Sequence, residues 1–361
     1  MSIFGKKKLI LAIETSCDET AVSVLCASKN WLKIISNEVS SQVKLHAKWG
    51  GVVPNLAARE HIKNIAPLFE LSLRNADVSM KDIDIIAVTQ GPGLIPALMI
   101  GNNFAKTLSY LWEKPLLGIH HIEGHIYSNF IGKSKFKVFF PVLCLAVSGG
   151  HTQLVLMKNH LDYEIVGQTL DDAAGEAFDK VARILNIGYP GGPAIASWAT
   201  KSKDSGSKFK IKLPRPMINK NNFNFSFSGL KTAVLYETKK NPDLLKNTKY
   251  IAAICNDFQQ SIIDVLTKKT LRAAEKYRPR TIMLAGGVSA NKELRKQLGK
   301  AIKKYMPDVL YRNPDIKLTG DNSAMIAAAA AIRWQKISKS QRKESLNAWK
   351  KIQPDANLRL K

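Results

Sequence analysis

His121-Ile122-Glu123-Gly124-His125 sets two imidazoles four residues apart. On a helix that spacing brings them to one face, where both can reach a single metal ion. The chain has seven histidines, and three of them, His120, His121 and His125, fall within six residues. Two nitrogens need a third ligand. Asp321, within Leu318-Thr-Gly-Asp-Asn-Ser-Ala-Met325, is the best candidate. It stands at a strand-to-helix transition, where the alternative is a plain N-cap for the following helix. Two histidines and one carboxylate suit Fe(II) or Zn(II) and leave positions for water or a substrate oxygen. Glu123 lies between the histidines. In the metallopeptidase pattern HExxH the glutamate directly follows the first histidine, so peptidase chemistry is poorly supported.

Three polar turns follow strand-like runs: Glu14 to Thr20, Ser148 to Thr152 and Gly286 to Asn291. A glycine pair in such a turn lets phosphate approach backbone N–H groups closely. A helix starting just beyond adds a favourable dipole. Neither a Walker A lysine pattern nor GxGxxG occurs. Unrelated tight turns would look the same, so the weight falls on their setting.

That setting is duplicated. Leu9–Ile13, the first turn and Ala21–Leu25 read as strand, turn, strand. Val142–Val147, Ser148–Thr152 and Gln153–Met157 repeat the plan about 133 residues later. The pattern predicts an α/β chain of two similar lobes, each opening with a hairpin whose turn faces a central cleft. Between the copies, Ile83–Val88 reads as a strand, Leu98–Leu111 as a helix containing Gly101, and Leu116–Ile119 as a strand. In the second lobe, Asp171–Leu185 reads as a helix stopped by Gly188-Tyr-Pro-Gly-Gly-Pro193. Residues 201–224 form a polar, basic excursion. A long helix ends at Tyr277, Thr281–Ala285 is a strand, and Asp321–Trp334 begins an alanine-rich helix. The domains expected are 1–135, 136–331 and a basic tail over 332–361, with the helix from about 321 packing back on the first lobe.

The 361 residues carry 54 Lys+Arg against 29 Asp+Glu, a formal net charge of +25. Such a field attracts polyanions, nucleic acid first, although lysines scattered over solvated faces would give the same sum. Cys17, Cys26, Cys144 and Cys255 show no CxxC spacing and read as reduced thiols. No segment is apolar enough to span a bilayer. Met1–Lys8 is followed by a strand-like run and not by a signal-type one. Without an arginine-rich amphipathic presequence, the expectation is a bacterial cytoplasm, with a mitochondrial or plastid matrix as the alternative.

Many motifs in order carry a resemblance that runs from Leu9 to about Ala331. They are Ile13-Glu-Thr-Ser-Cys-Asp-Glu-Thr20, Gly50-Gly-Val-Val-Pro54 with Ala58-Arg59 and His61, Gly91-Pro-Gly-Leu94 and His120-His-Ile-Glu-Gly-His125. They continue with Val147-Ser-Gly-Gly-His-Thr-Gln153, Asp171-Asp-Ala-Ala-Gly-Glu-Ala-Phe-Asp-Lys180 and Tyr189-Pro-Gly-Gly-Pro193. The last are Phe225-Ser-Phe-Ser-Gly-Leu-Lys-Thr232, Ala285-Gly-Gly-Val-Ser-Ala-Asn291 and Asp321-Asn322. The chain closely resembles the bacterial and organellar branch of the tRNA N6-adenosine threonylcarbamoyltransferases, once called the glycoprotease or O-sialoglycoprotein endopeptidase family.

The resemblance implies a duplicated actin-like fold. It implies transfer of threonylcarbamoyl from threonylcarbamoyl-adenylate to N6 of adenosine 37 in tRNAs reading codons that begin with A, with AMP released. It assigns one divalent ion per subunit, Fe(II) before Zn(II), to His121, His125 and Asp321. Ala146, Val147, Ser148, Gly149, Gly150, Asp179, Gly192 and Asn291 go to the adenylate. Asp18 and Glu19 match an acidic pair near the reaction, with Glu19 favoured as the base. Partners implied are tRNA, a smaller paralogous actin-like subunit and a P-loop ATPase, or a second copy in a homodimer. There are departures. Ala146 stands where archaeal and eukaryotic relatives have tyrosine, Asn55 where Glu is usual, Pro96 where Gly is usual, and Ala196 where Asp is frequent. The usual Arg-Trp-Pro-Leu ending is missing. Two basic stretches, Lys201, Lys203, Lys208, Lys210, Lys212 and Arg215, and Lys303 to Arg312, are candidates for tRNA phosphate.

Overall fold

A computed structural model describes residues 7–28, 31–132, 138–204 and 209–360. Backbone contacts divide them into two compact units. The first gathers the described residues of Met1–His46, Val52–Lys137 and Pro314–Lys361, the second those of Ala47–Gly51 and Val138–Asn313.

The first unit opens with β1 (Lys8–Glu14), β2 (Glu19–Ala27) and β3 (Leu32–Ser41), then the short α1 (Val43–Ala47), whose last residue already belongs to the second unit. There follow α2 (Pro54–Ala76), β4 (Ile85–Gly91), α3 (Ile95–Trp112), β5 (Leu116–His120) and α4 (His121–Tyr127). The sheet order is β3-β2-β1-β4-β5. The hairpin pairs are antiparallel, and β1–β4 and β4–β5 are parallel. The central strands are apolar runs buried almost throughout, as strands covered on both faces must be. Leu11, Ile13, Val22, Val24, Ile86 and Val88 form one core with Ile65 of α2 and Leu108 of α3. Nothing in the apolar period announces α2, because its buried face of Ala57, His61, Ile65, Ser72 and Ala76 is partly polar. Its ends follow local rules. Pro54 opens it, and Asp77 closes it in the left-handed region (φ 53), with the N–H groups of Asp77 and Val78 bonded to Arg74 and Leu73 carbonyls.

The second unit holds β6 (Val142–Val147), β7 (Thr152–Asn159), β8 (Asp162–Gln168), α5 (Ala174–Ile184), α6 (Gly191–Asp204), α7 (Ser228–Lys240) and α8 (Thr248–Tyr277). It ends with β9 (Thr281–Ala285), α9 (Lys292–Tyr305) and β10 (Leu310–Arg312). Its sheet order is β10-β9-β6-β7-β8. Strand for strand, β6 to β10 repeat β1 to β5, with the same pairing directions. The strand-turn-strand repeat read from the sequence is thus one visible part of a repeated five-stranded sheet.

The chain then returns to the first unit with α10 (Ser323–Lys336) and α11 (Lys339–Ser345). The second lobe read from the sequence runs to 331, but packing brings the chain back at Pro314. Helix α10 is buried from Ser323 to Ile332 and needs cover all round, which it finds on α4 and the first sheet. Of the stretch 332–361, read as a weakly patterned tail, the described residues 332–360 belong to the same unit, with Leu360 buried. The helix read as Asp171–Leu185 starts only at Ala174. Asp171 is occupied instead by Ser226, Phe227 and Ser228, whose backbone and hydroxyl groups donate to its carboxylate.

Candidate metal centre and glycine turns

Strand β5 delivers His120 to the edge of the sheet, and α4 begins at the next residue. His120 caps that helix, its Nδ1 accepting from the Ile122 N–H at 3.1 Å. All seven residues of α4 are buried. Gly124 lets α10 close on it, since a Cβ there would lie 2.8 Å from Ile326 Cδ1 and 3.1 Å from Met325 Cγ. At the start of α10 the cap is Asn322, whose Oδ1 accepts from the Met325 N–H at 3.1 Å. That removes the N-cap alternative for Asp321. One Asp321 oxygen then lies 3.2 Å from His125 Nε2 and 3.5 Å from His121 Nε2. Ligand atoms of His121, His125 and Asp321 all fall within 4.8 Å of one another.

His125 is 1% exposed, yet among the described residues neither ring nitrogen makes a hydrogen bond. An unbonded buried imidazole is costly, and a cation on Nε2 removes part of that cost. The donor set therefore fits a divalent ion. Behind His121, Nδ1 lies 3.1 Å from Glu14 Oε2 and 3.2 Å from Ser16 Oγ. Glu14 is fully buried and is itself held by the Ser16 N–H at 2.5 Å and the Thr89 hydroxyl at 2.6 Å. A carboxylate behind an imidazole selects the nitrogen that faces the metal. Burial pushes His121 down, but Asp321 and Glu14 outweigh it and raise its pKa to about 9. Sequence reasoning did not give Glu14 and Ser16 these roles. Their one signal in the sequence is their place in the first polar turn, whose setting points to phosphate.

The other chemistry-bearing residues here have other partners. His120 Nε2 lies 3.0 Å from the Leu358 carbonyl, so the third clustered histidine is no ligand. Glu123 is fully buried, with its oxygens 2.7 and 2.6 Å from Arg333 Nε and Nη2. It ties α4 to α10 and does not serve the water-activating role of a peptidase. Glu19 is pushed well above the usual carboxylate range by burial, then by Asp18 and Asp321, and shares a hydrogen bond with Asp18. Ser41 donates to its Oε1 at 3.0 Å. Burial, Asp18 and Asp321 also hold Cys17 as a thiol, a poor nucleophile.

In the second unit, Ser148–Thr152 joins β6 to β7. The Ser148 N–H bonds to the His151 carbonyl, and the Ser148 and Gly149 carbonyls accept from Gly175 and Glu176 at the start of α5. Among the described residues, nothing stands within 4 Å of where a Cβ would lie at Gly149, Gly150 and Gly192. Gly286 differs. It has φ 85 and crowds the Val147 carbonyl, so only glycine fits there. Asp179 Oδ1 accepts from the Gly191 N–H at 2.7 Å, across the start of α6. Its neighbour Lys180 pairs instead with Asp172 and Glu176, each at 2.8 Å. Asn291 caps α9 through Leu294 N–H and donates to Gln259.

Residues 33–328 match the family described as TsaD, tRNA N6-adenosine threonylcarbamoyltransferase. The chain belongs to this family. A relative so named from Listeria welshimeri is 47% identical over 91% of this chain and 92% of its own. One from Staphylococcus epidermidis is 48% identical over the same shares. Among solved structures, HypF of T. kodakarensis superposes with a TM-score of 0.59 at 13% identity, covering 96% of this chain and 50% of that one. That likeness concerns the fold, a duplicated actin-like α/β architecture.

The four positions read as departures lie at plain places in the fold. Pro96 falls in the first turn of α3, where the missing N–H has no intrahelical partner to lose. Asn55 is exposed in the first turn of α2. Ala146 is buried in β6, opposite Gln153 and Ala285. Ala196 is half-buried on α6. Of the basic candidates, Arg215 is bound to Asp257 and Asp264, each at 3.0 Å, and Arg312 is buried in β10. Arg215 thus serves the fold of the second unit. Lys210 and Lys212 are exposed, and Lys201 lies over the Trp198 ring at 4.3 Å. The Lys203 side chain and Lys208 lie outside the described residues. Among the described residues no helix is long and apolar enough to cross a membrane.

Proposed function

We propose that this protein transfers threonylcarbamoyl from threonylcarbamoyl-adenylate to N6 of adenosine 37 in tRNAs that read codons beginning with A, releasing AMP. The observation that carries the reading is the His121, His125 and Asp321 cluster, present in a chain 47% identical to a protein named for that transfer. The two compact units are its two actin-like lobes.

AMP is already a good leaving group, so the residues must position and stabilise more than activate. His121, His125 and Asp321 would hold one divalent ion per subunit, Fe(II) before Zn(II). When bound, such an ion supplies Lewis-acid polarisation of a substrate oxygen. Glu14 and Ser16 keep His121 oriented. Ala146 to Gly150 hold the adenylate, where the open Gly149 and Gly150 admit phosphate. Asp179, an acceptor when ionised, suits ribose hydroxyls and works with Gly192 and Asn291. The adenine N6 must lose a proton. Asp18 and Glu19, which share a hydrogen bond, are the acidic pair that takes it, with Glu19 favoured as the base.

The net charge of +25 suits tRNA as a polyanionic substrate. A smaller paralogous actin-like subunit and a P-loop ATPase complete the working assembly in the cytoplasm, with a homodimer as the alternative. The test supplies the purified protein with threonylcarbamoyl-adenylate and such a tRNA, with and without that partner pair, and follows modified adenosine by mass spectrometry. Product only with the partners supports the assembly, and product without them supports the homodimer. No product in either case overturns the transferase reading in favour of a scaffold. His121→Ala should lose metal and transfer together. A variant that lost metal but kept full transfer would sink the metal's role.

A further inference from the structure

The segment Gln353–Leu360 returns to the sheet edge that launches α4. Register slips between Thr89 and Gly91 in the β4–β5 ladder, so Gln90 bulges out of it. Gln90 then bonds the tail twice. Its carbonyl accepts from the Asp355 N–H at 2.9 Å, and its side chain donates to the Gln353 carbonyl at 3.0 Å. Gly91 makes room, since a Cβ there would stand 2.9 Å from the Asp355 carbonyl carbon and 3.2 Å from Leu358 Cβ. Asp355 also turns the tail locally, its Oδ1 accepting from the Asn357 N–H at 2.9 Å. Further along the segment, the Leu358 carbonyl lies 3.0 Å from His120 Nε2.

His120 is therefore gripped at both nitrogens. Nδ1 accepts from the Ile122 N–H, so Nε2 carries the hydrogen and donates it to Leu358. The ring is a rigid link between the tail and the first turn of α4, whose next residue is His121. We propose that residues 353–360 act through His120 as a positioning strap for the metal-binding helix, setting the aim of His121 and His125. This rests on the metal reading of His121, His125 and Asp321. Partners behind a metal ligand commonly change metal affinity by about 10- to 100-fold when removed, and the lower end fits a residue one position away from the ligand.

Two full-length variants test it. His120→Asn keeps an oxygen to cap α4 but cannot reach Leu358. Asp355→Pro removes the N–H that Gln90 holds and the local turn, without touching α4. Zn(II) affinity is read by competition with a chromophoric chelator, and ligand geometry from the d–d bands of Co(II) in the site. The expected result is an affinity about tenfold weaker in each variant, shifted Co(II) bands in both, and no further loss in the double variant. Wild-type affinity and bands in Asp355→Pro overturn the strap, whatever becomes of His120→Asn. A lower melting temperature of the metal-free variants with unchanged bands assigns the tail a purely structural role and also overturns it. A wild-type chain that takes up neither ion overturns the metal site itself, and the strap with it.

Discussion

Arg333→Met should destabilise the first unit strongly, through Glu123 and not through the metal. Glu123 has no exposed surface, and its two oxygens lie 2.7 and 2.6 Å from the guanidinium of Arg333. Removing one partner of a buried pair costs roughly 3–5 kcal/mol, because the remaining charge loses the guanidinium in a place shielded from water. The Arg333 side chain is 36% exposed, so water screens part of the pair and the lower figure, ~3 kcal/mol, applies. Urea unfolding followed by far-UV circular dichroism, with EDTA present, should show a midpoint lower by about 1 M or more. Glu123→Met combined with Arg333→Met should recover most of the loss, since an apolar pair of similar volume carries no desolvation penalty. A single variant within about 1 kcal/mol of wild type, or a double variant no better than the single, refutes the reasoning. Glu123→Gln should keep its transfer activity per folded molecule. Abolished transfer in a folded Glu123→Gln protein would return that residue to the chemistry.

Lys210→Ser with Lys212→Ser should weaken tRNA binding and flatten its salt dependence, by a slope of about 0.7–0.9 for each phosphate no longer neutralised. Arg215→Ser should instead lower the melting temperature with little change in that slope, and identical salt slopes in wild type and the lysine variant would reject the surface. In chelator-treated protein, His121 has a folded pKa of about 9, above its ordinary 6.5. Its stabilising contribution is then fully present below pH 6.5 and is lost as pH rises through 9. Melting temperature should fall across that window, and less steeply in Glu14→Gln. An equal fall in both proteins would remove Glu14 from the account.

The readable part of the site was local. HIEGH announces its helix pair because an i,i+4 spacing has one geometric meaning on a helix. Gly286 announces its turn because it directly follows an apolar strand. The hairpin repeat was legible from period-two runs, whereas α2 was not, since His61 and Ser72 stand on its buried face. The two candidates for Asp321, ligand and N-cap, were indistinguishable by residue type. Asn322 decides between them by taking the cap.

The sequence by itself determined the donor types, the helix-face pairing of His121 with His125, and the doubled α/β plan. These follow from periodicity and covalent order, which act over a few residues. Only the tertiary structure decided which distant groups complete them. Glu14, 107 positions before His121, stands behind its ring. Glu123 is drawn away by an arginine 210 positions later, and His120 is claimed by a carbonyl 238 positions later. Such pairings arise because a buried polar group must find a partner wherever the packed chain supplies one, and no spacing rule in the sequence encodes that choice.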